Sequence, residues 1–228
     1  MSTATIHTEP LQEQQGAFSR VAAVAGIAWI VLTVISIFLV GDMPTAADDA
    51  NVVRDYLSEN VGSHQAGLAA VALSLVPLLV FAAGLVEMLR RSGRRGYDGW
   101  STATGALYVF AVAVGTIGMV TEAGLLLSRD AGLDDGTLLA LWDINMASTA
   151  MMVLGFGGAV ACASISSLTH RTRPNWYGGL GVVVGIAGLF GLAGLVSDSD
   201  TAAAASFVML PLFVIWTIIT SVLLYRDA

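Results

Sequence analysis

Residues 64–89, HQAGLAAVALSLVPLLVFAAGLVEML, run directly into Arg90-Arg91-Ser92-Gly93-Arg94-Arg95. A helix that crosses the roughly 30 Å hydrocarbon core of a bilayer needs about 20 mainly apolar residues. This stretch is long enough, and four guanidinium groups close it. Together they read as a membrane-spanning helix held at one end by its cations. Five more segments share the pattern, so the chain is expected to span six times. The spans lie near Arg20–Val40, His64–Leu89, Ser101–Leu127, Leu138–Leu168, Tyr177–Val196 and Ala203–Tyr225.

Composition points the same way. Of the 228 residues 56% are hydrophobic and 12% charged, against about 25% charged in ordinary soluble domains. So few charges do not cover the surface of a soluble fold, whereas lipid solvates apolar side chains directly. The first span is too long for a signal-peptide core and Gly41-Asp42-Met43-Pro44 is no cleavage site, so it is expected to remain as an anchor. Residues 1–17, rich in Thr, Gln and Glu, are expected to form a disordered tail on the cytoplasmic side of a transmembrane domain covering 18–228.

Arginine placement sets the expected orientation, because short arginine-rich loops stay in the cytoplasm. Alternate loops hold Arg20, then Arg90, Arg91, Arg94 and Arg95, then Arg171 and Arg173, then Arg226. The other loops hold only Arg54 and Arg129, together with ten acids from Asp42 to Asp200. A plasma-membrane protein with both termini in the cytoplasm and the acidic loops outside is therefore expected. Trp100, Trp176, Tyr177, Tyr225 and Trp142 are placed as boundary anchors, and Trp29 and Trp216 as packing residues. In the first outer loop, Asp48 as N-cap and Val52, Val53, Tyr56 and Leu57 on one side predict a short amphipathic helix lying on the membrane surface.

The fold class is thus all-α, a polytopic helix bundle. Glycines at 181, 185, 188, 191 and 194 give the fifth span a smooth packing face, and the third span offers Gly115 and Gly118 and the fourth Gly155, Gly157 and Gly158 as further packing surfaces. Pro77 and Pro211 each remove a helical hydrogen bond and are expected to kink spans 2 and 6 at similar depth. The strings Val24-Ala25-Gly26-Ile27-Ala28 and Val183-Val184-Gly185-Ile186-Ala187 raise a duplicated hairpin, and matched broken helices can mark a transporter site.

Ionisable residues inside a membrane are candidates for function because their cost is about 2.5–3.5 kcal/mol even on lenient scales. Glu87 is accounted for by Arg90 and Arg91 at i+3 and i+4. Glu122 and Asp143 flank the turn between spans 3 and 4 at matched distances from Gly132–Leu133, which puts them at one depth. Two such carboxylates share a proton or bind a cation. Asn145 adds an amide, and His64 joins them where span 2 packs alongside, so an outward-facing ligand or ion site at Glu122, Asp143, Asn145 and His64 is the expectation. Thr121, Ser148 and Thr149 supply further polar atoms nearby.

Other chemistries fall away. There is no lysine for a Schiff base, Cys162 is the single cysteine, and no H-E-x-x-H, G-x-S-x-G or P-loop string occurs. His7, His64 and His170 fall on different sides and do not form an axial haem pair. No cofactor is called for, and the metal question is left open. Membrane lipid is the expected partner, with a homo-oligomer, another membrane protein or a small ligand open beside it and no nucleic acid.

Three strings carry a family resemblance: Val53-Arg54-Asp55-Tyr56-Leu57-Ser58-Glu59-Asn60 followed by His64, the arginine turn after span 2, and Arg173-Pro174-Asn175-Trp176-Tyr177-Gly178-Gly179-Leu180. The chain resembles a group of bacterial six-helix membrane proteins common in actinobacteria and classed as a domain of unknown function. Tyr177 stands where that group usually has leucine. The resemblance implies the six-helix topology and no particular activity. Two readings stay open: a non-enzymatic accessory or small-ligand-binding protein, and a small ion- or proton-coupled carrier using Glu122, Asp143 and the helices interrupted by Pro77 and Pro211.

Overall fold

The computed structural model describes residues 9–92, 99–171, 173–196 and 200–228, with side chains for 14–91, 99–171, 173–190 and 209–228. It is all-helical: α1 (Glu9–Val40), α2 (Ala50–Ser58), α3 (Val61–Ser92), α4 (Gly99–Leu127), α5 (Asp135–His170), α6 (Asn175–Val196) and α7 (Asp200–Arg226). Among the described residues, α1, α3, α4, α5 and α7 are long and apolar enough to cross a membrane, and α6 is apolar but shorter over Asn175–Phe190. The protein is therefore a membrane-embedded helix bundle. Arg94, Arg95 and Asp198 lie outside the described residues, and the side chains of Gly191 and Gly194 positions are likewise undescribed.

The six long helices form a closed ring in chain order. α1 packs on α3, α3 on α4, α4 on α5, α5 on α6, α6 on α7, and α7 returns to α1. The outside of the ring is apolar, with Val24, Val31, Phe38, Leu73, Val76, Val109, Val120, Val183, Ile215 and Val222 exposed. In a protein surrounded by water such a surface would aggregate; surrounded by lipid it is solvated.

The ring has a filled centre. Trp29 of α1 meets Phe213 of α7 edge-on at 5.2 Å, Phe213 stacks on Phe156 of α5 at 5.3 Å, Phe156 reaches Tyr108 of α4 at 5.9 Å, and Tyr108 meets Phe81 of α3 at 6.4 Å. Five helices thus contribute one ring each to a continuous aromatic plug, with Leu78, Leu85 and Val160 buried around it. Offset and edge contacts of this kind are worth about 0.5–1.5 kcal/mol per pair beyond area burial.

Small residues let α5 and α6 approach. A Cβ on Gly157 would lie 2.9 Å from the Cα of Gly188, and one on Gly185 would lie 2.6 Å from the Cβ of Ala161. Gly181 faces Ser164 in the same register. The glycine face expected on α6 is thus seated on Gly157, Ala161 and Ser164, giving each helix small residues spaced by four and three.

Several expectations change. α1 begins at Glu9, inside the segment read as disordered; Pro10 suits a first turn and the Gln/Glu run that follows favours helix. Trp142 and Tyr177, placed as boundary anchors, are fully buried, whereas Trp100, Trp176 and Tyr225 are exposed as expected. The two similar strings face different partners: Gly26 meets Ser221 and Phe81, and Gly185 meets Ala161 and Gly157, so they do not play equivalent parts in two hairpins. Pro77 and Pro211 do lie inside α3 and α7, and Pro211 is exposed on the outer face of the ring.

Candidate functional site: a buried imidazole–carboxylate cluster

At one end of the ring α2 lies across α4 and α5. Its cap is Asp49, whose carboxylate accepts from the Asn51 and Val52 amides at 2.9 and 3.1 Å. Asp48, the cap expected from sequence, instead accepts from the Thr45 amide and hydroxyl. These bonds hold the Asp48 carboxyl below its ordinary value. The helix buries Ala50, Val53 and Leu57 against Leu125, Leu126, Leu138 and Trp142. Its apolar side therefore rests on protein, not on the membrane surface, and Val52 is left exposed.

Arg54 fixes the register by donating to the Leu133 carbonyl at 2.8 Å and pairing with Asp135 at 2.6 Å. Leu133 lies in the α4–α5 connection and Asp135 opens α5; in that connection Gly132 takes the positive φ of 68° that the turn requires.

The chain then reverses at Asn60, whose φ of 48° is left-handed. Asparagine tolerates that region better than most residues. The turn brings the Tyr56 ring against that of His64, with centroids 4.8 Å apart and planes inclined at 57°. Beneath them His64 Nε2 lies 2.7 Å from Glu122 Oε1, and both residues are buried, at 2% and 5% exposure. The Tyr56 hydroxyl donates to the same carboxylate oxygen at 3.1 Å, and Asn145 Nδ2 donates to Oε2 at 3.5 Å. Trp142 closes the side, its ring 5.5 Å from that of Tyr56 and its buried indole N–H without a hydrogen-bond partner among the described residues.

Three elements thus supply one group each around the Glu122 carboxylate of α4: Tyr56 from α2, His64 from α3 and Asn145 from α5. With His64 protonated the centre is an ion pair; with His64 neutral its Nε2 either donates to Glu122 or accepts its proton. Burial, then the charge of Glu122 and the bond to it, raise the Tyr56 phenol well above its ordinary value.

Three of the four expected members assemble. Glu122, Asn145 and His64 come together, but Asp143 is exposed on the far side of α5. The matched depth is right: Gly118 faces Asn145 and Gly115 faces Met152, which puts Glu122 level with Asp143. The facing is wrong because residues two apart on a helix point about 200° apart, so a helix that turns Asn145 inward turns Asp143 out. Tyr56 and Trp142 were missed as site residues, since one read as part of an apolar stripe and the other as an anchor. Glu87 pairs with Arg91 at 3.0 Å as expected. Among the described residues, no group of three or more His, Cys, Asp or Glu is placed to hold a metal ion.

No family model, curated protein or solved structure matches the chain.

Proposed function

We propose that the chain is a six-span plasma-membrane protein with both termini in the cytoplasm, acting as a non-enzymatic accessory or small-ligand-binding protein through the His64–Glu122 cluster. The span added to the five long apolar helices is α6, the fifth in chain order. The eight-to-two division of arginines between alternate loops supports the orientation, which puts α2 outside. The resemblance to the actinobacterial six-helix group supports the same topology. A single observation carries the functional reading: a carboxylate and an imidazole sealed beneath a helix that stands apart from the spanning ring. Such a centre is costly to bury, and α2 is the element whose movement would uncover it to a proton, a cation or a small hydrogen-bonding ligand.

The test is thermal stability of the purified protein and of E122Q across a pH series and with added cations. The wild type is expected to respond to pH or to a cation, and E122Q to lose that response. Identical, flat behaviour of both removes the reading. Alkaline phosphatase fused within residues 45–49 is expected to be active and one fused after Arg171 inactive; the reverse result inverts the topology.

A second reading, an ion- or proton-coupled carrier, is favoured by the same pair together with Pro77 and Pro211. The filled aromatic centre weighs against it, because transport would have to reorganise five interlocked rings. Proton flux in proteoliposomes that disappears in E122Q would decide for the carrier.

A further inference from the structure

Away from the α2 end, toward Arg173 and Arg226, the interior of the ring is polar without being charged. Tyr177, Trp216, Thr217, Thr220 and Ser221 are all buried, as are Ser164 and Ser167 on the facing helix. One part of this group is satisfied internally. Thr220 donates to the Trp216 carbonyl at 2.8 Å, so it accepts from the Tyr177 hydroxyl at 2.9 Å. The rest is not. The hydroxyls of Ser164, Ser167, Thr217 and Ser221 and the indole N–H of Trp216 have no hydrogen-bond partner among the described residues.

These atoms lie on one side of the aromatic plug, past Phe156 on α5 and past Phe213 on α7. Ser164 and the Trp216 indole nitrogen both lie against Gly181. Ser167 is one helical turn from Ser164, and Thr217 and Ser221 are one turn apart on α7. Tyr177 stacks on Trp216 at 5.7 Å, and Ser221 faces Gly26 of α1. A serine or threonine in a membrane helix ordinarily satisfies itself on a carbonyl of the preceding turn. Thr220 does so, and its four neighbours do not. An unsatisfied polar atom is especially costly within a bilayer, where no bulk solvent reaches it.

We infer that Ser164, Ser167, Trp216, Thr217 and Ser221 form a second binding site, taking water as its ligand from the arginine-bearing end of the ring. The chemistry selects a neutral molecule that both donates and accepts, because hydroxyls offer both roles, the indole offers a donor, and no carboxylate or guanidinium joins the group. The packing selects a small one, since a single added Cβ at Gly181 would lie 2.8 Å from the Trp216 indole nitrogen. The aromatic plug ends the site toward the other end of the ring. The inference does not depend on the His64–Glu122 reading, which concerns the opposite end.

X-ray radiolytic hydroxyl labelling of the intact protein in nanodiscs tests it, because the radical forms from water in place. In ¹⁸O-water, Trp216 and Tyr177 are expected to take up the heavy isotope despite full burial, while equally buried Phe213 stays unmodified. Labelling of Trp216 and Tyr177 no greater than that of Phe213 overturns the site. Unlabelled oxygen on these residues overturns water as its ligand. A second measurement uses S221A and T217V. With water bound, each is expected to lower Tm by about 2–5 °C, and T116V, on an exposed hydroxyl already bonded to the Val112 carbonyl, to change it little. A rise in Tm for S221A and T217V means that the hydroxyls hold nothing, and the inference fails.

Discussion

At the residue scale the chain turns on Glu122. Removing one partner from a buried ion pair costs about 3–5 kcal/mol because the other is left uncompensated. E122A and H64A are each expected to destabilise the protein strongly in detergent melts, and H64L/E122L to lose less than the sum of the two. D143N, on the exposed side of α5, is expected to melt within about 0.5 kcal/mol of wild type. Tyr56 adds a dependence on alkali. Its folded-state proton is held more tightly than the ordinary value of 10.0 implies, so its contribution is complete below that pH and is lost as pH rises through the elevated folded value. In tyrosinate absorbance titrations Tyr56, identified by difference from Y56F, is expected to stay silent as pH passes through the ordinary phenol value of 10.0. The sequence disclosed Glu122, Asn145 and His64 because polarity within an apolar run and distance from a turn are linear quantities. It did not disclose that Asp143 faces away, because the rotation of a helix about its own axis is set by its neighbours, and two neighbours compete for α5.

Among the elements, α2 has the least of its own to hold it, and its docking depends on a few contacts. Leu57 and Val53 are fully buried against α4 and α5, so L57D is expected to release the helix and open the Arg54–Asp135 region to protease in nanodisc-embedded protein. The turn at Asn60 is expected to accept glycine and to resist valine, since a β-branched residue is a strained occupant of the left-handed region. N60V should therefore loosen α2 by the same proteolytic measure, and N60G should not. The amphipathic pattern of α2 was legible in its residues. Its destination was not, because the same apolar stripe serves a membrane surface or a protein surface equally well, and only Arg54 reaching Leu133 and Asp135 distinguishes them. The α5–α6 seam was more legible, since glycine spacing alone defines a close-packing face. G157L is expected to separate these helices and abolish folding-dependent resistance to detergent denaturation.

At the scale of the whole molecule, the order of apolar segments along the chain became the order of helices around the ring. The six apolar stretches match α1 and α3 to α7 within a few residues at most boundaries, because apolar length is the property that lipid thickness selects. Ring closure and the aromatic plug were not written in any one segment, since Trp29, Phe81, Tyr108, Phe156 and Phe213 come from five helices and none forms a motif with its sequence neighbours. The two polar clusters stand at opposite ends of this plug, one built on ionisable groups and the other on hydroxyls.

Contact between α1 and α7 also governs the order of assembly. The first helix enters the bilayer long before the last is translated, so the flank of α1 that will meet Phe213 and Ser221 waits against lipid while the intervening helices are made. A nascent chain that stops short of α7 is an open arc with a polar-lined edge, the kind of surface that quality-control proteases recognise. Docking of α7 against α1 is therefore the step that closes the wall around the aromatic rings.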